Sequence, residues 1–197
     1  MKQRDLDNYY KNLENYLDSG RVHSIPNSDR AHNATIIRFM LDKSDTVNMF
    51  CGQMSIFRNK FYDRINEDND GVLGTYLKNE MVKALTGFIN KANSKLNIIL
   101  ERFNIMYFSD LISSSIFKAG VRSGKISLRK SDPRLFVSEG VSHFTYTSSD
   151  IARMEIEQEP HSGICTVNLT NDMKDIIGYN YSVLERTSSP LDTNVLL

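Results

Sequence analysis

His143-Phe144-Thr145-Tyr146-Thr147-Ser148-Ser149-Asp150 alternates polar and apolar side chains and then breaks into a turn. Residues two apart on a strand share a face, so His143 and Thr145 point together while Phe144 and Tyr146 point the other way. The run predicts a strand over 141–146, a turn at Thr147 to Asp150, and a second strand over 151–157. A further turn, containing Pro160, leads to a third strand over 164–169. With little helical signal between them, these strands should pair antiparallel.

Upstream the pattern is different. Strand-like runs over 46–52, 95–101 and 125–130 alternate with apolar residues spaced four apart. Phe57, Phe61 and Ile65 form one such face, and Leu73, Leu77, Met81, Leu85 and Ile89 form another. Phe108, Leu111, Ile112 and Ile116 give a shorter one, and Ser28 can cap a helix carrying Ala34, Ile37, Met40 and Leu41. Strand, helix, strand, helix, strand argues for parallel pairing with crossover helices. After the hairpins, Asn171 or Asp172 can cap a last helix with Met173, Ile176, Ile177, Tyr181 and Leu184 on its apolar face. At the start, Leu6, Tyr9, Tyr10, Leu13, Tyr16 and Leu17 mark an amphipathic helix that ends at Ser19-Gly20. The expected layout is a helical prefix over 1–27, a domain over 28–191 and a short tail over 192–197.

That order of elements, together with three local marks, resembles half of a phospholipase D-like domain. His143 and Asp150 stand at the spacing of the family's His-any-Lys-four-Asp signature, with Thr145 where the family has lysine. Cys165-Thr166-Val167-Asn168 lies where the family often has Gly-Ser-any-Asn, and the segment from Tyr181 to Pro190 is similar to the family's closing helix and its following proline. The implied fold is α/β: a mixed, mostly parallel sheet with helices on both faces and a C-terminal antiparallel hairpin. Family enzymes use two facing histidines, one as nucleophile and one as acid and base. A single motif therefore implies a homodimer if the chain is active.

The resemblance implies a site of His143, Asp150, Thr145, Thr166 and Asn168. His143 and Thr145 share one strand face, and Thr166 and Asn168 share another. If those faces coincide, an imidazole, two hydroxyls and an amide surround one spot without a fixed cation. Such a spot can hydrogen-bond a phosphate, yet it lacks the charge that stabilises a transferring phosphoryl group. Arg129 or Lys130 could replace the cation, since Lys118, Arg122, Lys125, Arg129, Lys130 and Arg134 form the chain's clearest basic cluster. A solvated face that protects a strand edge accounts for the same cluster. Glu155 and Glu157 with Arg153 read as paired charges on a solvated hairpin.

With 24 basic and 24 acidic residues among 197, the formal charge is zero, so any polyanion must be met by a local patch. Cys51 and Cys165 lie in apolar runs and read as buried free thiols, which fits a reducing cytoplasm. No apolar run reaches the ~18 residues of a spanning helix. The histidines and cysteines have no metal-ligand spacing, and no cofactor motif stands out. The expectation is a non-catalytic binding or regulatory module that self-associates and takes a phosphate-containing ligand or nucleic acid. Two alternatives stand beside it: a homodimeric phosphodiesterase or nuclease with His143 as nucleophile, and an accessory protein-interaction module using Tyr9, Tyr10 and Tyr16.

Overall fold

The computed structural model describes residues 1–69, 71–132, 142–157 and 162–192. Arg134, His161, Pro160, Val141 and the tail from 193 onward lie outside the described residues. The helices are α1 (Gln3–Asp18), α2 (Arg30–Lys43), α3 (Asn59–Asp68), α4 (Leu73–Asn90), α5 (Ser114–Arg122) and α6 (Asn171–Thr187). The strands are β1 (His23–Asn27), β2 (Thr46–Cys51), β3 (Lys95–Leu100), β4 (Ile126–Lys130), β5 (Phe144–Thr147), β6 (Ile151–Glu157), β7 (Ser162–Val167) and β8 (Ser189–Pro190).

The described strands form one mixed sheet in the order β1-β7-β6-β5-β2-β3-β4-β8. Only β2–β3 and β3–β4 pair in parallel, and the other neighbours are antiparallel. The sheet is thus mixed as expected, but parallel pairing is confined to β2, β3 and β4, towards the β8 edge. The β5-β6-β7 meander inserts between β1 and β2, so β2 has an antiparallel neighbour on that side. The last residues of the expected N-terminal prefix are themselves a sheet strand. Pro26 lies in β1, an edge strand, where proline is tolerated.

Helices cover both faces, unequally. Val47 and Met49 of β2 and Leu96, Ile98 and Leu100 of β3 face a core shared with α1 to α5, which includes Leu6, Leu13, Phe39, Met81 and Phe88. Phe50, Ile99 and Phe144 face the other way, onto Tyr181 and Leu184 of α6. Burial on both sides explains why β2 and β3 read as nearly unbroken apolar runs. The polar exceptions on the α6 side satisfy each other: Asn97 donates to Asn48 Oδ1 at 2.9 Å, and Ser127 donates to Asn97 Oδ1 at 2.8 Å.

Helix starts follow capping chemistry. Asp29, one residue past the expected Ser28, caps α2 by accepting from the His32 N–H at 2.9 Å. Thr170 caps α6 by accepting from the Met173 N–H. No helix among the described residues is long and apolar enough to cross a membrane.

Candidate functional site

Strand register builds the site. Thr145 lies opposite Met49 on one side and Arg153 on the other, and Arg153 lies opposite Cys165. One step along, the Glu155 N–H donates to the His143 carbonyl. His143, Thr145, Arg153 and Glu155 therefore share the face covered by α1 to α5, at the end of the sheet where β2 and β3 finish. Ligand crevices of α/β sheets form outside such carboxyl ends.

There a cavity of about 440 Å³ opens between the sheet, α2 and α3. On α2, Arg30, Asn33 and Ile37 line it at three- and four-residue steps, one helical stripe. Lys60, Phe61 and Arg64 of α3 form the facing wall, with Arg58 just before the helix. Gly52 follows β2, and Glu101 and Arg102 follow β3.

His143 is the centre of the floor. Its Nδ1 lies 2.7 Å from Glu155 Oε2 and its Nε2 2.8 Å from Glu101 Oε2. The Phe50 ring meets the imidazole edge-on at 5.3 Å. Burial opposes charge on the imidazole, but hydrogen bonds and attraction from Glu155 and Glu101 outweigh it and raise its pKa above the ordinary value. Because ionised carboxylates only accept, this geometry is the one an imidazolium makes, with both N–H groups given to carboxylates. Gly52 permits this approach, since a Cβ there would stand 3.0 Å from His143 Cε1.

Among the described residues, six cationic side chains line the cavity, Arg30, Arg58, Lys60, Arg64, Arg102 and Arg153, against two carboxylates, Glu101 and Glu155. Some are held by acids outside it. Arg30 reaches Asp68 at 3.3 Å, and Arg58 lies 3.5 Å from Asp110 and stacks over Tyr107 at 4.5 Å. Arg102 bonds the second oxygen of Glu101 at 3.3 Å. Arg153 is 5% exposed and donates to Asn27 Oδ1. Burial pulls its pKa down, against the upward influence of Glu155. In a chain with no net charge, this is a segregated positive pocket. Cys51 also lines it, but burial pushes its thiol up to about 12, which removes it as a nucleophile near neutral pH.

The expected site residues are dispersed. His143 and Thr145 lie together in the cavity lining. Asp150 sits at the opposite end of β5, in the β5–β6 turn with φ 57°, its carboxylate 3.2 Å from Lys174. Thr166 lies opposite Ala152 and Ser24, on the other face of the sheet, and its hydroxyl pairs with that of Ser24 at 2.9 Å. Asn168, also at positive φ, donates to the carbonyls of Tyr16, Leu17 and Arg21 and ties down the end of α1. Replacing Asn168 by glycine keeps the left-handed backbone and removes those bonds. It should cost about 1–2 kcal/mol in urea unfolding and speed amide exchange in α1.

Two cations of the expected basic patch hold helix ends. Arg129 donates to Ser188 Oγ and to the carbonyls of Glu185 and Ser188 at the close of α6. Lys125 reaches the Ile89 and Lys91 carbonyls at the close of α4. Lys130 is exposed near the β8 edge. The cation beside Thr145 is Arg153, from the neighbouring strand. Arg153 and Glu155 are buried, not solvated, because α1 to α5 cover their face of the hairpin. Tyr9 and Tyr10 pack against the core, with the Tyr10 hydroxyl on Asp42, and Tyr16 stacks on His23 at 4.4 Å.

No protein-family model matches the sequence, and no curated protein matches it. Among solved structures the chain is similar to TrmBL2, an archaeal chromatin protein whose structure shows a novel mode of DNA binding. The TM-score is 0.53 at 11% identity, over 96% of this chain and 65% of that one. It is also similar to Nuc, a phospholipase D family member from Salmonella typhimurium, with a TM-score of 0.48 at 9% identity over 87% of this chain and 97% of that one. The chain thus spans 65% of the length of TrmBL2, and at such identity the likeness to it is one of α/β fold.

Proposed function

We propose that the chain is a phospholipase D-like module without phosphodiesterase activity that binds a phosphate-bearing ligand in the cavity around His143. The observation that carries this reading is the imidazole held between Glu101 and Glu155 on the floor of a cationic pocket. An imidazolium donating from both nitrogens has no lone pair with which to attack phosphorus. Its charge and the surrounding guanidinium groups favour an anion, and arginine forks match phosphate oxygens in geometry as well as sign.

The test is calorimetric titration of the protein with inorganic phosphate at low ionic strength. Saturable binding is expected, weakened about a hundredfold by combined Arg58→Ala and Arg64→Ala, since each charge-assisted bond contributes roughly tenfold. Binding that ignores both substitutions would sink the reading. A homodimeric phosphodiesterase is the second reading, favoured by the Nδ1–Glu155 contact, which would orient the ring for catalysis once Nε2 left Glu101. Turnover of bis(p-nitrophenyl) phosphate that is lost in His143→Ala would establish it over the first.

A further inference from the structure

The lining contains two buried atoms of opposite need. Asn33 on α2 is 7% exposed, and its Oδ1 has no hydrogen-bond partner among the described residues. Arg58 Nε is likewise buried without a hydrogen bond, 3.5 Å from the Asp110 carboxylate. Both residues line the cavity. A buried polar atom left unmatched is costly, and such atoms are normally answered by protein, water or ligand. The arginine, ion-paired with Asp110 but not hydrogen-bonded at Nε, can take an acceptor, which a phosphate oxygen supplies. Asn33 Oδ1 requires a donor, which a bare phosphate dianion lacks.

The carboxylates add to the same demand. Glu101 and Glu155 repel a polyanion that fills the whole cavity, and a carboxylate accepts more bonds than the two Glu101 makes with His143 and Arg102, so it can also take a hydroxyl donor. A ligand that is anionic at one end and rich in hydroxyls at the other meets both halves of the lining. Hydroxyl groups also suit Asn33 whichever way its amide is turned, because they donate and accept. At about 440 Å³ the cavity has the size of a small-molecule site.

We infer that the ligand is a small phosphate ester of a polyol, a sugar phosphate or a nucleoside monophosphate, and that Asn33 reads its hydroxyls. This rests on the anion-binding reading above and deepens it.

The experiment compares ribose 5-phosphate, ethyl phosphate, inorganic phosphate and AMP by calorimetry, on the unaltered protein and on Asn33→Leu. Ribose 5-phosphate should bind at least about tenfold more tightly than ethyl phosphate, the value of one buried hydrogen bond, and Asn33→Leu should reduce that preference to about twofold or less. Leucine removes an unmatched buried atom at similar volume, so the variant should melt no lower than the parent. The comparison of ligands on the unaltered protein decides the matter even if the variant fails to fold.

Equal affinity for ribose 5-phosphate and ethyl phosphate, or a preference that survives in Asn33→Leu, overturns the inference and leaves anion binding standing. No binding of any of the four phosphates overturns both. AMP binding more tightly than ribose 5-phosphate assigns the site to nucleotides, and the reverse assigns it to sugar phosphates. Either result upholds the shared chemistry.

Discussion

Replacing His143 with alanine is expected to lower the unfolding free energy by about 3 kcal/mol near neutral pH, because it leaves two carboxylates facing each other without the cation between them. The His143 side chain is 12% exposed, and those of Glu101 and Glu155 are 19% and 8% exposed, so water can compensate little. The loss should carry a pH signature. The folded state raises the His143 pKa above its ordinary 6.5, so the imidazolium's contribution is complete below about 6.5 and disappears as pH rises through the folded value. Above that point the ring has one N–H and turns a lone pair towards one of the acids. Urea unfolding at about pH 6 and about pH 9 should therefore show the parent losing stability with rising pH more steeply than His143→Ala. Adding Glu101→Gln and Glu155→Gln to His143→Ala should restore most of the loss, since it removes the charges that were left uncompensated. A loss below about 1 kcal/mol, the size of an ordinary substitution, would mean that the triad is not the buried ionic cluster described above.

The same triad shows where sequence stops being informative. Strands β2 to β7 could be read because apolar runs and period-two alternation report burial directly, and α6 because its apolar face repeats at helical spacing. Alternation around Arg153 and Glu155 identified one face of a hairpin but not what covered it. That cover comes from α1 to α5, mostly far away in sequence, so alternation alone does not distinguish two buried charges from two solvated ones. Register was equally hidden. Arg153 stands beside Thr145 only because β5 and β6 pair as they do, and one step of slippage would place it on the other side of the sheet. The basic cluster at 118–134 is dense in the sequence, whereas the cations of the pocket are dispersed from Arg30 to Arg153 and converge only in the fold. Asp150 and Asn168 both adopt positive φ, which Asn and Asp tolerate better than most residues. Their residue types at those positions answer to turn geometry, and the spacing from His143 to Asp150 spans a whole strand and its turn.

Two glycines of α4 should respond to alanine with opposite sign. Gly74, in the first turn, lies against the α3 backbone: a Cβ there would run into the Tyr62 carbonyl oxygen and come within 2.8 Å of Asn66 Oδ1. Asn66 Oδ1 also accepts from the N–H groups of Gly74 and Thr75 at 2.7 and 3.2 Å, so the two helices are joined where they touch. Backbone cannot move aside as a flexible side chain can, and Gly74→Ala should cost about 3 kcal/mol. Gly87, farther along the same helix, is exposed and would place a Cβ with nothing within 4 Å. There the helix gains a better former, and Gly87→Ala should add about 0.5–1 kcal/mol. Urea titration of both variants measures the difference directly, and shifts of the same sign would show that α3 and α4 do not pack as described. The consequence reaches the cavity, because α3 carries Lys60 and Arg64 on the wall opposite Asn33. Pushing α3 outward to admit a methyl group at position 74 would draw those cations away from the His143 floor. Gly74→Ala should therefore weaken phosphate binding even at temperatures where it remains folded, while Gly87→Ala leaves binding unchanged.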